Sequence, residues 1–266
     1  MKSINELFDL SGRVALVTGG AGHLGGVIGE ALAECGASVG LLDLKPLDSI
    51  LSGLPSVERG AHVAFQTNLL NEEDVLEVPS RVVKEMGRLD ILVNCAALVG
   101  SDDLKGWVEP LENQSLRTWR DALEINLTAP FALIKASIPK IRESGNGSIV
   151  NIGSIYGLLG PDWSIYNESD VRGTPAAYGV SKGGLLQLTR WLATSLAPDI
   201  RVNSIVPGGI ERKTSTRFRK EYEKRTPMGR MGKEEDFKGA ISYLASDASS
   251  YVTGQSIVVD GGWSSW

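Results

Sequence analysis

The sequence predicts an α/β fold, a doubly wound and mainly parallel sheet of seven strands with helices on both faces. Three observations carry this expectation. Short runs rich in Val, Ile and Leu alternate with longer segments whose apolar residues recur at three and four. The short runs are apolar almost without interruption, and the first of them, "VALVT", leads straight into the glycine cluster "GGAGHLGG". Continuous apolar strands belong to sheets covered on both faces, and helices between them make parallel crossovers the natural connection.

In order, the strands are expected at Val14 to Thr18, Val39 to Asp43, Val63 to Thr67, Ile91 to Asn94, Ile149 to Ile152, Val202 to Val206 and Ile257 to Asp260. The helix after the first strand shows the pattern: Leu24, Val27, Ile28, Ala31, Leu32 and Cys35 share a face, and Gly36 ends it as a cap. At 266 residues the chain is long for one domain, yet a sheet between two helical layers fills that length, so a single unit of residues 1–266 is expected. Two long stretches, 155–175 and 208–228, break the rhythm and are expected to be irregular. Such loops serve function or move.

Composition excludes several classes. A net charge of −5 and a pI near 5.2 provide no overall basic surface for nucleic acid or membrane headgroups. No stretch offers the roughly 18 to 20 apolar residues of a membrane helix, and "MKSINELFDL" has acids where a leader would be apolar, which predicts a soluble, unexported, cytoplasmic chain. Cys35, Cys95, His23 and His62 show no metal-ligand spacing, so neither a metal site nor a disulfide is expected.

Within the glycine cluster, Gly20, Gly22 and Gly25 match G-x-G-x-x-G between a strand and an amphipathic helix. Glycines there allow a tight turn and a close approach of backbone N–H groups to a pyrophosphate at the positive end of the helix. Alone the pattern also fits a structural turn. The second strand closes with "GLLDL", which puts Asp43 18 residues past Gly25, near the spacing of an acid that holds a ribose 2′-hydroxyl. A carboxylate there repels a 2′-phosphate, so NAD(H) is expected over NADP(H), although Lys45 two residues on leaves NADP(H) open.

These residues resemble the short-chain dehydrogenase/reductase family, whose cofactor turn reads T-G-x-x-x-G-x-G. Thr18, Gly19 and Gly25 match; His23 stands at the middle glycine, with Gly22 a candidate for its role. His23 is read as capping or packing rather than catalytic. Further matches follow in family order: "NCAA" at 94–97, "INLT" with Asn126, "NIGSIYG" with Ser154, "YGVSK" with Tyr178 and Lys182, the loop "VPGGI", and the final "VTGQSIVVDGGW". Two residues depart from the pattern: Asn68 stands where an Asp often meets adenine, and the P-G loop lacks its usual Thr.

The resemblance implies a Rossmann-type NAD(P)-dependent oxidoreductase acting on CH–OH groups, assembled as a homo-oligomer (dimer or tetramer). Its cofactor half would be about residues 10–150 and its catalytic and substrate half about 151–266. It places the dinucleotide against Thr18, Gly19, Gly20, Gly22, His23, Leu24, Gly25, Asp43, Asn68, Leu69, Asn94, Ala96, Tyr178, Lys182, Pro207, Gly208 and Ile210.

Tyr178 and Lys182 lie four apart on a helix expected from about Ala176, so their side chains share a face. An ammonium beside a phenol stabilises the phenolate and moves its pKa toward working pH, where it exchanges a proton with an alcohol or carbonyl. The resemblance gives Ser154 the substrate oxygen, has Asn126 support a water chain to Lys182, and makes 208–228 a mobile lid.

Ser154 and Tyr178 are 24 residues apart, longer than the resembled family's usual spacing, so an insert stands beside the expected reacting centre. Trp163, Tyr166, Asn167, Glu168 and Arg172 in it suit a polyhydroxylated ligand, or else contact another subunit. The stretch "ERKTSTRFRKEYEKR", which includes Arg212, holds seven basic and three acidic residues. That bias fits either a solvated helix face or attraction of an anionic substrate. Together these segments are similar to oxidoreductases associated with bacterial surface-sugar and flagellin-glycan modification. Three functions stay open: interconversion of a secondary alcohol and a ketone on a polar or anionic, sugar-like small molecule; reduction of a 3-oxoacyl thioester on an acyl carrier; and dinucleotide sensing without chemistry.

Overall fold

A computed structural model describes residues 1–99, 104–166, 173–212 and 215–266. Its strands are β1 (Val14–Thr18), β2 (Ser38–Asp43), β3 (Val63–Gln66), β4 (Ile91–Asn94), β5 (Gly147–Ile152), β6 (Ile200–Pro207) and β7 (Ser256–Val259). They form one sheet in the order β3-β2-β1-β4-β5-β6-β7, every pair parallel. The helices are α1 (Ile4–Phe8), α2 (His23–Glu34), α3 (Asp48–Leu51), α4 (Glu72–Met86), α5 (Leu116–Leu123), α6 (Ala129–Ser144), α7 (Ala176–Leu196), α8 (Thr216–Arg225) and α9 (Lys238–Ala245).

The uninterrupted apolar strands have the predicted cause. Ala15 and Val17 of β1 face a core built with Ile28 and Leu32 of α2 and Ile241 and Leu244 of α9. Val14 and Leu16, pointing the other way, join Val78 and Val82 of α4, Leu133 and Ile134 of α6 and Leu192 of α7. Alternate side chains of one strand thus enter two different cores, which requires both faces of β1 to be apolar.

The strand order reverses between β1 and β4, the place where an open parallel sheet leaves a crevice at its carboxyl edge. At the opposite edge Asp90 joins the same two strands. Its carboxylate, sealed from solvent, accepts from the Val14 N–H at 2.9 Å and from Arg88 at 2.6 and 2.8 Å.

Two expectations shift. Helix α2 ends one residue earlier than Gly36 as cap. Gly36, at φ +97°, donates to the Ala33 carbonyl and Ala37 to that of Leu32, a left-handed exit that glycine permits at no steric cost. The stretch 208–228 contains the ten-residue α8, capped by Ser215 and anchored by buried Phe218 and Tyr222, four apart. Two apolar positions in a charged segment were too few to announce it.

Candidate active site

The glycine turn between β1 and α2 is shaped by contacts that exclude side chains. Gly19 has φ +72°, and a Cβ on it would stand 2.8 Å from the Ala96 backbone; one on Gly25 would stand 2.1 Å from the Gly19 carbonyl. Thr18, at the end of β1, accepts from the N–H groups of Cys95 and Ala96 at 3.0 and 3.1 Å and so fixes the β4 loop against the turn. Gly22 is the N-cap of α2 and has no side chain to occupy the first-turn N–H groups. His23 is exposed at the first helical position and neither caps nor packs into the core.

Asp43, at the end of β2, accepts from the Ala21 and Lys45 N–H groups, both at 3.0 Å, which holds its carboxylate beside the turn. Asn68 is exposed after β3, its side chain accepting from the Leu70 N–H, with half-buried Leu69 next to it. Across the crevice, Gly208 donates to the Val259 carbonyl, and Ile210 bridges Gly232. Turn, carboxylate and opposing loop fit a dinucleotide: backbone donors for a pyrophosphate, an acid for a ribose, and no side chain where the chain must approach closely.

Helix α7 begins at Ala176, as expected, and carries Tyr178 and Lys182 one turn apart. Lys182 is buried, and its Nζ donates to the Ile152 carbonyl at the end of β5 at 2.7 Å. Burial lowers its pKa to about 8, because water no longer solvates the ammonium. Burial pushes the Tyr178 phenol above the usual tyrosine range, while a hydrogen bond with the Ser154 side chain pulls it back in part. The amine therefore loses its proton before the phenol does. Near neutral pH the pair is a neutral phenol beside a largely protonated amine.

Ser154 leaves β5 in extended conformation, and its Oγ also accepts from the Tyr156 N–H at 3.2 Å. A Cβ on Gly157 would stand 2.8 Å from the Lys182 backbone, so glycine lets this turn press against α7. Asn126 sits fully buried in a π-helical turn, Glu124–Thr128. Its amide accepts from the Leu98 N–H at 2.7 Å and donates to the Leu98 carbonyl at 3.1 Å and to Ser181 Oγ at 3.0 Å. Asn126 thus meets the α7 turn directly through Ser181, and its side chain clamps the β4 loop. A second buried relay runs from Asn94 to Asn151 at 2.8 Å and on to Thr189 of α7 at 2.9 Å. Ser181, Asn151 and Thr189 escaped sequence reasoning; only the adjacency of Ser181 to Lys182 hinted at one of them.

Of the insert residues, Trp163 is exposed and Tyr166 half-buried, their rings 5.8 Å apart. The Tyr166 hydroxyl lies 2.6 Å from that of Tyr156. Asn167, Glu168 and Arg172 lie outside the described residues. The basic stretch is extensively ion-paired: Arg212 with Glu234, Arg219 with Glu211 at 2.9 Å, Lys224 with Glu221 at 2.6 Å, and Arg225 with Asp162 at 2.9 Å. Glu234 and Asp162, which lie outside the stretch, offset part of its excess charge.

The family described as Enoyl-(Acyl carrier protein) reductase matches residues 20–264. Over 263 residues the chain is 35% identical to the 3-oxoacyl-(acyl-carrier-protein) reductase FabG of Thermotoga maritima, covering 95% of this chain and 98% of that one. The crystal structure of a short chain dehydrogenase from Leptospira borgpetersenii with bound NAD+ superposes with a TM-score of 0.83 at 31% identity, covering 99% and 96% of the two chains. The chain belongs to the short-chain dehydrogenase/reductase family.

This short-chain oxidoreductase also resembles a gluconate 5-dehydrogenase from Burkholderia cenocepacia in complex with NADP and tartrate, with a TM-score of 0.84, 27% identity and coverage of 99% and 100%. One neighbour holds NAD+ and the other NADP, which supports a nicotinamide dinucleotide as cofactor. Among the described residues no helix of the oxidoreductase is long and apolar enough to cross a membrane, and no cluster of His, Cys, Asp and Glu could hold a metal ion.

Two outcomes are expected. Gly25→Ala drives a methyl into the Gly19 carbonyl and weakens NADH binding, read by isothermal titration calorimetry, by roughly ten-fold or more; unchanged affinity would mean the turn does not shape the cradle. The Lys182 pKa, near 8 folded against 10.5 in the open chain, means the unfolded state binds more protons between about pH 8 and 10, so stability rises with pH there. Urea unfolding should show that rise in the wild type and its loss in Lys182→Met.

Proposed function

We propose that the chain is an NAD(H)-preferring oxidoreductase that interconverts a secondary alcohol and a ketone, with Tyr178 as the proton-exchanging group. One observation carries this reading: Ser154, Tyr178 and Lys182 stand together at the carboxyl edge of the sheet, with the Ser154 side chain close enough to lower the Tyr178 pKa, while a glycine turn that admits a dinucleotide opens at the same edge. The bound dinucleotide would supply or accept the hydride. Tyr178 is half-buried beside Ser154, where its hydroxyl would reach a substrate oxygen that Ser154 also contacts. As a neutral phenol it is poised to donate that proton, and an ammonium on Lys182, one turn away on α7, would favour the phenolate left behind. Asn126 and Ser181 hold the α7 turn that presents both. The Asp43 carboxylate beside the glycine turn opposes a 2′-phosphate, which supports NAD over NADP.

The substrate we favour is polar or anionic and sugar-like. The paired phenols of Tyr156 and Tyr166, beside the partly exposed ring of Trp163, can stack on and hydrogen-bond a hydroxylated ligand, and the resemblance to a gluconate 5-dehydrogenase agrees with this. A second reading, reduction of a 3-oxoacyl thioester, has its own support: a groove of about 800 Å³ beside α7, lined largely by apolar groups such as Val108, Leu111, Leu159 and Val180. A homo-oligomer is supported by another groove, where Phe131 of α6 and Trp191 of α7 stand exposed beside Leu127 and Leu188.

Tyr178→Phe should abolish hydride transfer while NADH affinity stays within about two-fold, because the ring is kept and only the exchangeable proton is lost; full turnover in this variant would refute the mechanism. Assays with sugar acids and with acetoacetyl thioesters separate the two substrate readings. Light scattering should give the mass of a dimer or tetramer, and Trp191→Glu should lower it; a wild-type monomer would dismiss that assembly.

A further inference from the structure

We propose that Tyr222 of α8 is a positioning residue for the dinucleotide: its hydroxyl fixes the loop after β6, and a run of stacked rings joins that loop to the insert beside Ser154. The proposal rests on the function assigned above, since it takes the loop as one wall of the dinucleotide site. The Gly209 N–H donates to Tyr222 Oη at 2.5 Å, and a Cβ on Gly209 would stand 2.6 Å from the Tyr222 ring. Glycine and tyrosine are therefore fitted to each other, and no other residue at 209 leaves the ring in place. From its far side the same loop is held by the Gly232 N–H donating to the Gly209 carbonyl at 2.9 Å and by the Glu211 N–H donating to the Gly232 carbonyl at 2.8 Å. Both backbone polar groups of Gly209 are thus engaged before any ligand arrives, which is preorganisation in the sense that lowers the cost of binding.

Tyr222 is itself immobilised. Only 2% of it is exposed, and it stacks on Trp263 with centroids 4.2 Å apart and planes at 17°. Arg225 lies over the Trp263 ring at 5.4 Å and pairs with Asp162 of the insert at 2.9 Å. On its other side Tyr222 meets Phe218 at 6.0 Å, and Phe218 meets Tyr166 at 5.5 Å. Tyr166 in turn holds Tyr156, two residues past Ser154. The chain of contacts runs from Tyr156, two residues past Ser154, to Gly209 in the loop taken as one wall of the dinucleotide site. Through these contacts α8 is docked against both the loop after β6 and the insert.

Tyr222→Phe keeps the stacked ring and removes only the acceptor for Gly209. In the full-length protein it should weaken NADH binding, read by isothermal titration calorimetry, by roughly ten-fold. Hydrogen exchange should speed up at residues 208–211 and stay unchanged in the central strands, a local effect that a general loss of stability does not produce. Gly209→Ala, which pushes the ring away instead, should weaken NADH binding similarly. Wild-type affinity in Tyr222→Phe, or weakening accompanied by uniformly faster exchange, overturns the proposal. A wild-type protein that binds neither NADH nor NADPH overturns the functional reading, and this inference with it.

Discussion

A lysine amine enclosed by protein, 2.7 Å from the Ile152 carbonyl, is the constraint around which the carboxyl edge of this sheet is arranged. An ammonium removed from water needs compensation, and here one carbonyl at the end of β5 provides it while burial still brings the pKa down to about 8. Keeping that amine in place requires α7 to lie close over β5. Gly157 permits the approach, and the buried amides of Asn126 and Asn151 tie α7 to the π-helical turn and to the central strands. Tyr178 then stands one turn away, meeting Ser154 from the same strand end. The polar groups of the site are thus a continuation of the sheet's own hydrogen bonding rather than an addition to it.

The dinucleotide side follows a different logic, exclusion of side chains. Gly19 and Gly25 are fixed by distances that no Cβ satisfies, Thr18 secures the neighbouring loop, and Asp43 is oriented by two backbone N–H groups. Opposite them the loop after β6 is held by Tyr222 and by residue 232. One wall is made by omission and the other by aromatic packing. The insert touches the second wall through Tyr166 on Phe218 and Asp162 on Arg225.

How much of this could be read from the chain alone depended on the range of the interaction. The inner strands were legible because they are buried on both faces, which leaves a run of Val, Ile and Leu that no amphipathic helix would show; the edge strands β3 and β7 are only partly buried, and no strand end moved by more than two residues. The start of α7 and the spacing of Tyr178 and Lys182 are local facts and emerged intact. Partners distant in sequence were not legible. Nothing near Asn126 tells that its amide will clamp Leu98, and nothing in the basic stretch tells that Asp162 and Glu234 will neutralise part of it. Helix α8 was hidden for a related reason, since its two buried rings find their partners in Tyr166 and Trp263. The expected fall of the phenol toward working pH was argued from charge alone; burial, which acts on both groups, instead raises the Tyr178 phenol and lowers the Lys182 amine.

The most direct test of the account is the titration of the Lys182 amine, followed by NMR on protein with isotope-labelled lysine and assigned by the signal missing from Lys182→Met. The account requires a midpoint near 8, well below that of a solvated lysine. A midpoint at the ordinary 10.5 would mean that the amine is solvated, and the arrangement described for the carboxyl edge would be wrong.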